Sequence, residues 1–170
     1  AAYQEIKKLG LLLPQGHIEH AQVKAALRDV SRFDISDIGF TILTRNRKAY
    51  IKVVRALNFE GVAAPLVLWS VMQEIRSILA VQTKISSGLS MANALRAARC
   101  WGVRKQIIPK ILTFIDKKDM MKIMQEGHEV DLIIKGLIKG DAWDALTQLG
   151  ISSIKTIDNK LLKSAALIAR

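Results

Sequence analysis

The chain has 170 residues, half of them hydrophobic, with 26 Lys or Arg against 15 Asp or Glu and a net charge of +11. That length suits one domain, or one domain plus a fragment of another, and the excess of cations favours an acidic partner, nucleic acid first and an anionic protein surface second. The single cysteine, Cys100, excludes an internal disulfide and a cysteine-based zinc site. No run of about 18 apolar residues occurs, so no membrane span is expected. No basic-then-apolar leader is visible. The absence of an opening Met suggests that these residues are a piece of a longer protein.

Ala1 to Leu13 reads as the end of a helix with Ile6, Leu9 and Leu13 on one side, and Pro14-Gln15-Gly16 makes a turn. A second short helix runs from His20 to Val30. Ser31-Arg32-Phe33-Asp34 breaks the period, which places a domain boundary at about residues 30–34. Beyond it the pattern is helix after helix. The first spans Ile35 to Thr44 and carries Ile38, Ile42 and Leu43, with Asp34 or Ser36 as cap.

Two amphipathic helices then flank a Glu60-Gly61-Val62-Ala63-Ala64-Pro65 turn. Tyr50, Val53, Val54 and Leu57 form one stripe, and Leu68, Val71, Met72, Ile75 and Leu79 form the next. Gly61 supplies the stop and Pro65 the start. A short helix follows from Ser90 toward Arg99, and Trp101-Gly102 turns the chain. Val103, Ile107, Ile111 and Ile115 define another helix, in which Pro109 must introduce a kink or mark the first turn. A longer one covers Asp119 to Leu137. Asp141 caps the last, which carries Trp143, Leu146 and Leu149 and continues through Ile154, Ile157, Leu161 and Leu162. Strand signals are nearly absent. The fold class is all-α, a helical bundle.

The sequence offers little for chemistry. It contains neither Gly-x-x-x-x-Gly-Lys-Ser/Thr nor Gly-x-Gly-x-x-Gly, so nothing points to nucleotide hydrolysis or any other cofactor. His17 and His20 flank Glu19 without further ligands at matching spacing, and His128 stands in a polar stretch. Arg96, Arg99 and Arg104 near Cys100 would lower its pKa, but no general base accompanies it, so a buried thiol is expected. Trp69, Trp101 and Trp143 each lie beside aliphatic residues and are read as helix packing. Met120, Met121 and Met124 are read as core.

One asymmetry stands out. From Ile75 to Ile115 there are seven cations and no acid: Arg76, Lys84, Arg96, Arg99, Arg104, Lys105 and Lys110. Either they form an electropositive face for DNA or an acidic neighbouring subunit, or their counter-charges come from elsewhere in the fold.

Several motifs occur in a suggestive order: Leu57-x-x-Glu60-Gly61, Pro65-Leu66-x-Leu68-Trp69, Glu74-Ile75-Arg76, Trp101 before Arg104-Lys105, and Asp131-x-x-Ile134-Lys135-Gly136 before Trp143 and Leu146. In that order they resemble the delta subunit of bacterial DNA polymerase III, a clamp-loader component, as far as about Gly150. Leu9 to Leu27 with Pro14-x-Gly16 looks like the end of that family's small lid-like second domain. The resemblance implies a lid-like part over residues 1–32 and a helical collar (oligomerisation) domain over residues 33–170. It implies no intrinsic activity and no cofactor, metal or small-molecule substrate, although the whole assembly is a DNA-directed DNA polymerase, a nucleotidyltransferase. Expected partners are other clamp-loader subunits in a hetero-oligomeric ring, and indirectly the sliding clamp and primer-template DNA, in a bacterial cytoplasm. Met91, Trp101 and the last helices are candidates for the subunit interface. The competing reading is a stand-alone basic helical module that binds nucleic acid.

Overall fold

The computed structural model describes residues 34–168, with side chains through residue 162. The lid-like helices expected over residues 1–32, with His17 and His20, lie outside the described residues. The chain divides after Phe33, and the unit beginning at Asp34 is described by itself. Its elements are α1 (Ile35–Leu43), α2 (Arg47–Phe59), α3 (Ala64–Ser86), α4 (Met91–Ala97), α5 (Val103–Leu112), α6 (Lys117–Ile134) and α7 (Ala142–Ile168). Among the described residues every regular element is helical, so the fold is all-α.

Local chemistry sets the helix ends. Asp34 caps α1 and Asp116 caps α6, and in both the third helical residue (Asp37, Asp119) returns a bond to the cap backbone, filling donors that a bare helix start leaves open. Asp141 accepts from the Trp143 and Asp144 amides at 2.9 and 2.8 Å to start α7. At the other end, α2 closes with Gly61 N–H on the Asn58 carbonyl and Val62 N–H on Leu57, both at 3.0 Å, and Gly61 sits at φ +72° as that closure requires. The ends of α1 and α4 close in the same way, but with Arg45 and Arg99 in the left-handed position.

The longest apolar stripe makes α3 the axis of the bundle. Val67, Leu68, Val71, Met72, Ile75, Ile78 and Val81 are all buried, and α1, α4 and α6 pack around them, with α7 also in contact. The stripe of α2 (Tyr50, Val53, Val54, Leu57) is buried as its spacing predicts, mainly against α7 and α1. Each such side chain contributes about 1.5–3 kcal/mol on burial. By length and composition α3 is the one described helix apolar enough to cross a bilayer, though half of its most apolar window is buried in the bundle. It also carries the buried carboxylate of Glu74.

Two expectations need correction. The helix expected to reach Ile115 ends at Leu112. Pro109 lies inside it, leaving the Lys105 carbonyl without its usual donor, and only one further turn follows. Its buried face is Ile108 and Ile111, while Val103 is exposed. The following helix starts at Lys117 and stops at Ile134. The last helix, by contrast, continues as its apolar period predicts and runs without a break to Ile168.

At the α2–α7 contact the Tyr50 ring is fully buried, and its hydroxyl donates to the Leu146 carbonyl at 2.7 Å. The ring lies directly over Gly150, where any added Cβ would collide with Cζ and both Cε atoms. Burial pushes the phenol well above its usual range, with the Gly150 backbone pulling the other way.

Candidate functional site

The cations of the acid-free basic run stand in different local settings. Lys84, Arg96 and Lys110 each occupy the last turn of a helix, α3, α4 and α5 respectively. Cations there offset the exposed carbonyls of the helix C-terminus. Arg99 is the left-handed closing residue of α4. Arg104 sits at the first turn of α5, the unfavourable end for a cation, and its charge is met from outside the run. Its Nε lies 3.0 and 2.9 Å from the two Glu74 carboxylate oxygens, and a terminal nitrogen also bonds Oε1.

Glu74 is 3% exposed, and a buried carboxylate needs such a partner. The pair is clasped by a close approach of α1 to α3: a Cβ at Gly39 would stand 2.5 Å from Glu74 Cγ and 3.0 Å from the Ser70 carbonyl. Ser70 Oγ donates to the Ile35 carbonyl at 2.7 Å across the same contact. The Glu74 hydrogen bonds hold the Arg104 guanidinium above its ordinary range, against the opposing effect of burial. Arg104 is therefore committed to the fold, as an alternative to an open basic face. Arg76 and Lys105 remain exposed on α3 and α5.

Cys100 is buried beside this pair. Burial pushes its thiol up, Arg104 opposes the shift and Glu74 adds to it, so the neighbouring arginines do not activate it. Among the described residues no three His, Cys, Asp or Glu side chains converge as a metal site would require.

The tryptophans depart from the expected packing. Trp69 and Trp101 are each 59% exposed, and only Trp143 is half-buried. On α3 the core stripe takes Leu68, Val71, Met72 and Ile75, leaving Leu66 and Trp69 on the opposite side. Trp101 lies in the connection between α4 and α5, next to exposed Val103. Met91, the other interface candidate, is half-buried and lines a small pocket with Pro109 and Leu112. The methionines of α6 also divide, since Met120 is fully buried while Met121 is 53% exposed.

One concave feature lies between α3 and α6. It is a groove of about 420 Å³ lined by buried Leu68 and Met72, half-buried Met124 and Asp131, and exposed Trp69, Arg76 and His128. Met124 also belongs to a second depression on α6, shared with Lys118, Met121 and Lys122, so the two adjoin at this side chain and are taken together as a strip. Periodicity placed Met124 correctly on a helix. What it could not show was that the neighbours leave this side of α6 open.

No protein-family model matches the sequence, and no curated protein matches it.

Proposed function

We propose that the chain is the collar part of a clamp-loader delta-type subunit. In this reading it is a non-catalytic helical scaffold that assembles with related subunits in a hetero-oligomeric ring and supports sliding-clamp loading in chromosomal DNA replication. The observation that carries the reading is the set of large apolar side chains left open on separate elements of a well-packed bundle: Leu66 and Trp69 on α3, Trp101 before α5, Met121 on α6, and Leu137 after it. Obligate assemblies cover such patches with neighbouring subunits. The ordered motifs, which resemble those of the delta family, favour related clamp-loader subunits as those neighbours. Catalysis belongs to the assembled holoenzyme, in the bacterial cytoplasm.

Size-exclusion chromatography with light scattering tests this, using the 170-residue chain mixed with the collar domains of clamp-loader partner subunits. A new peak containing both is the expected outcome, and independent elution would count against the assignment. The competing nucleic-acid reading predicts a salt-dependent affinity for duplex or single strands. It is weakened because Arg104 pairs with Glu74 within the fold. Alanine at Arg76 and Lys105 is the discriminating variant, because a nucleic-acid face would lose salt slope with it.

A further inference from the structure

We infer that the strip along α3 and α6 is a docking groove for an acidic amphipathic helix of a partner protein. The proposal deepens the scaffold reading and rests on it for the expectation of a protein partner. The strip has the right length. From Lys118 to Asp131 along α6 is about 20 Å at ~1.5 Å per residue, room for three to four turns of a docked helix. Its apolar content suits helix-in-groove binding, in which anchors at every third or fourth position seat between two helices. Trp69 and Met121 are more than half exposed, with Met124 between the two depressions. Methionine adapts to a partner's side chains at small cost.

Charge selects the occupant. Three cations edge the strip, Arg76, Lys118 and Lys122, and none pairs with a carboxylate among the described residues. The two carboxylates along it are already engaged, Asp131 by Lys135 at 2.6 Å and Asp119 by Lys160 at 2.8 Å. The remaining acids of this part of α6, Glu126 and Glu129, line the separate depression between α6 and α7. The α3–α6 strip thus presents an apolar floor beneath uncompensated positive charge. A helix with apolar anchors and flanking Glu or Asp matches both features, whereas a basic helix would meet repulsion from three directions.

The test uses two labelled synthetic helices of about sixteen residues, chosen to span the strip. Both carry leucine at every third or fourth position; one has glutamate and the other lysine on the remaining face. Fluorescence anisotropy against the 170-residue chain should show binding of the glutamate peptide, weakened by added salt, and at least about tenfold weaker binding of the lysine peptide. Trp69→Ala should cost about tenfold. Arg76→Glu combined with Lys122→Glu should reverse the preference between the peptides. These side chains are exposed, so circular dichroism should report unchanged folding, and the charge-reversal pair decides the matter if Trp69→Ala misfolds.

Equal affinity for both peptides, no binding of either, or a chain dimer that Trp69→Ala dissolves would overturn the proposal. The scaffold reading is judged separately. If Trp69→Ala and the charge-reversed variant still join the clamp-loader partners, the groove assignment is wrong and the collar assignment stands. If the glutamate peptide binds as described and those partners do not, the reverse holds.

Discussion

Replacing Gly150 by Ala tests the packing of this bundle by the sign of its effect. In an ordinary helix interior the change favours stability by about 1 kcal/mol. In this fold the new Cβ would occupy space held by the Tyr50 ring, which is fully buried and cannot swing into solvent. Overpacking of that kind costs about 1–3 kcal/mol. Displacing the ring also puts at risk its 2.7 Å bond to the Leu146 carbonyl, worth about 1 kcal/mol. Subtracting the helix-propensity gain leaves a net loss of roughly 1–3 kcal/mol. For a domain of this size the melting temperature should fall on the order of 2–12 °C. The assay is thermal denaturation by circular dichroism, with Tyr50→Leu and the double variant completing a cycle. Trimming the ring should make room for the methyl, so the double variant should be less damaged than the sum by at least about 1 kcal/mol. A Gly150→Ala protein that melts higher than the parent would refute the close contact between α2 and α7.

Arg104→Ala strands the buried Glu74 carboxylate. Loss of a buried partner costs about 3–5 kcal/mol when both groups are enclosed, and the partial exposure of Arg104 reduces this to roughly 2–4 kcal/mol, read as a drop in the urea midpoint. Arg104→Lys should recover only part of it, since a lysine cannot grip both oxygens. Arg99→Gly should stabilise by about 0.5–1 kcal/mol, because relief of the left-handed strain outweighs the added freedom of the unfolded chain; a loss in the same urea titration would show that the arginine has a partner in solution. The Asp116 carboxyl is held below the usual carboxylate range by the Asp119 amide, with Lys160 also contributing. A lowered folded-state pKa gives stability that is present above the unfolded value of about 3.9 and lost as pH falls through the folded value. The melting-temperature gap between the parent and Asp116→Ala should therefore be wide at neutral pH and narrow in strong acid. A gap that stays constant would contradict the charged cap.

Periodicity and caps made most of the bundle legible. The α2 stripe, the Asp34 and Asp141 caps and the Gly61 closure follow from residue type and three-and-four spacing, which are local properties. What needed coordinates was everything set by the third dimension. Glu74 and Arg104 lie thirty positions apart, so an acid just outside the basic run could not be recognised as the counter-charge of a cation inside it. Aliphatic neighbours suggest packing for Trp69, but on α3 it is Val67, Leu68 and Val71 that turn inward, while Trp69 and Leu66 stay open. The end of α5 was missed because Ile115 keeps the apolar period and is buried, although the chain has already left the helix. The α3–α6 strip had no sequence signature, since openness depends on where the other helices stop.

Under the proposed function, partner subunits cover the open apolar side chains of this bundle. Hydrogen–deuterium exchange on the 170-residue chain, alone and in the presence of clamp-loader collar domains, tests it most directly. Formation of a complex with slowed exchange along α3 and α6 around Trp69 and Met121 is the predicted result. Exchange unchanged across the whole chain at saturating partner would contradict it.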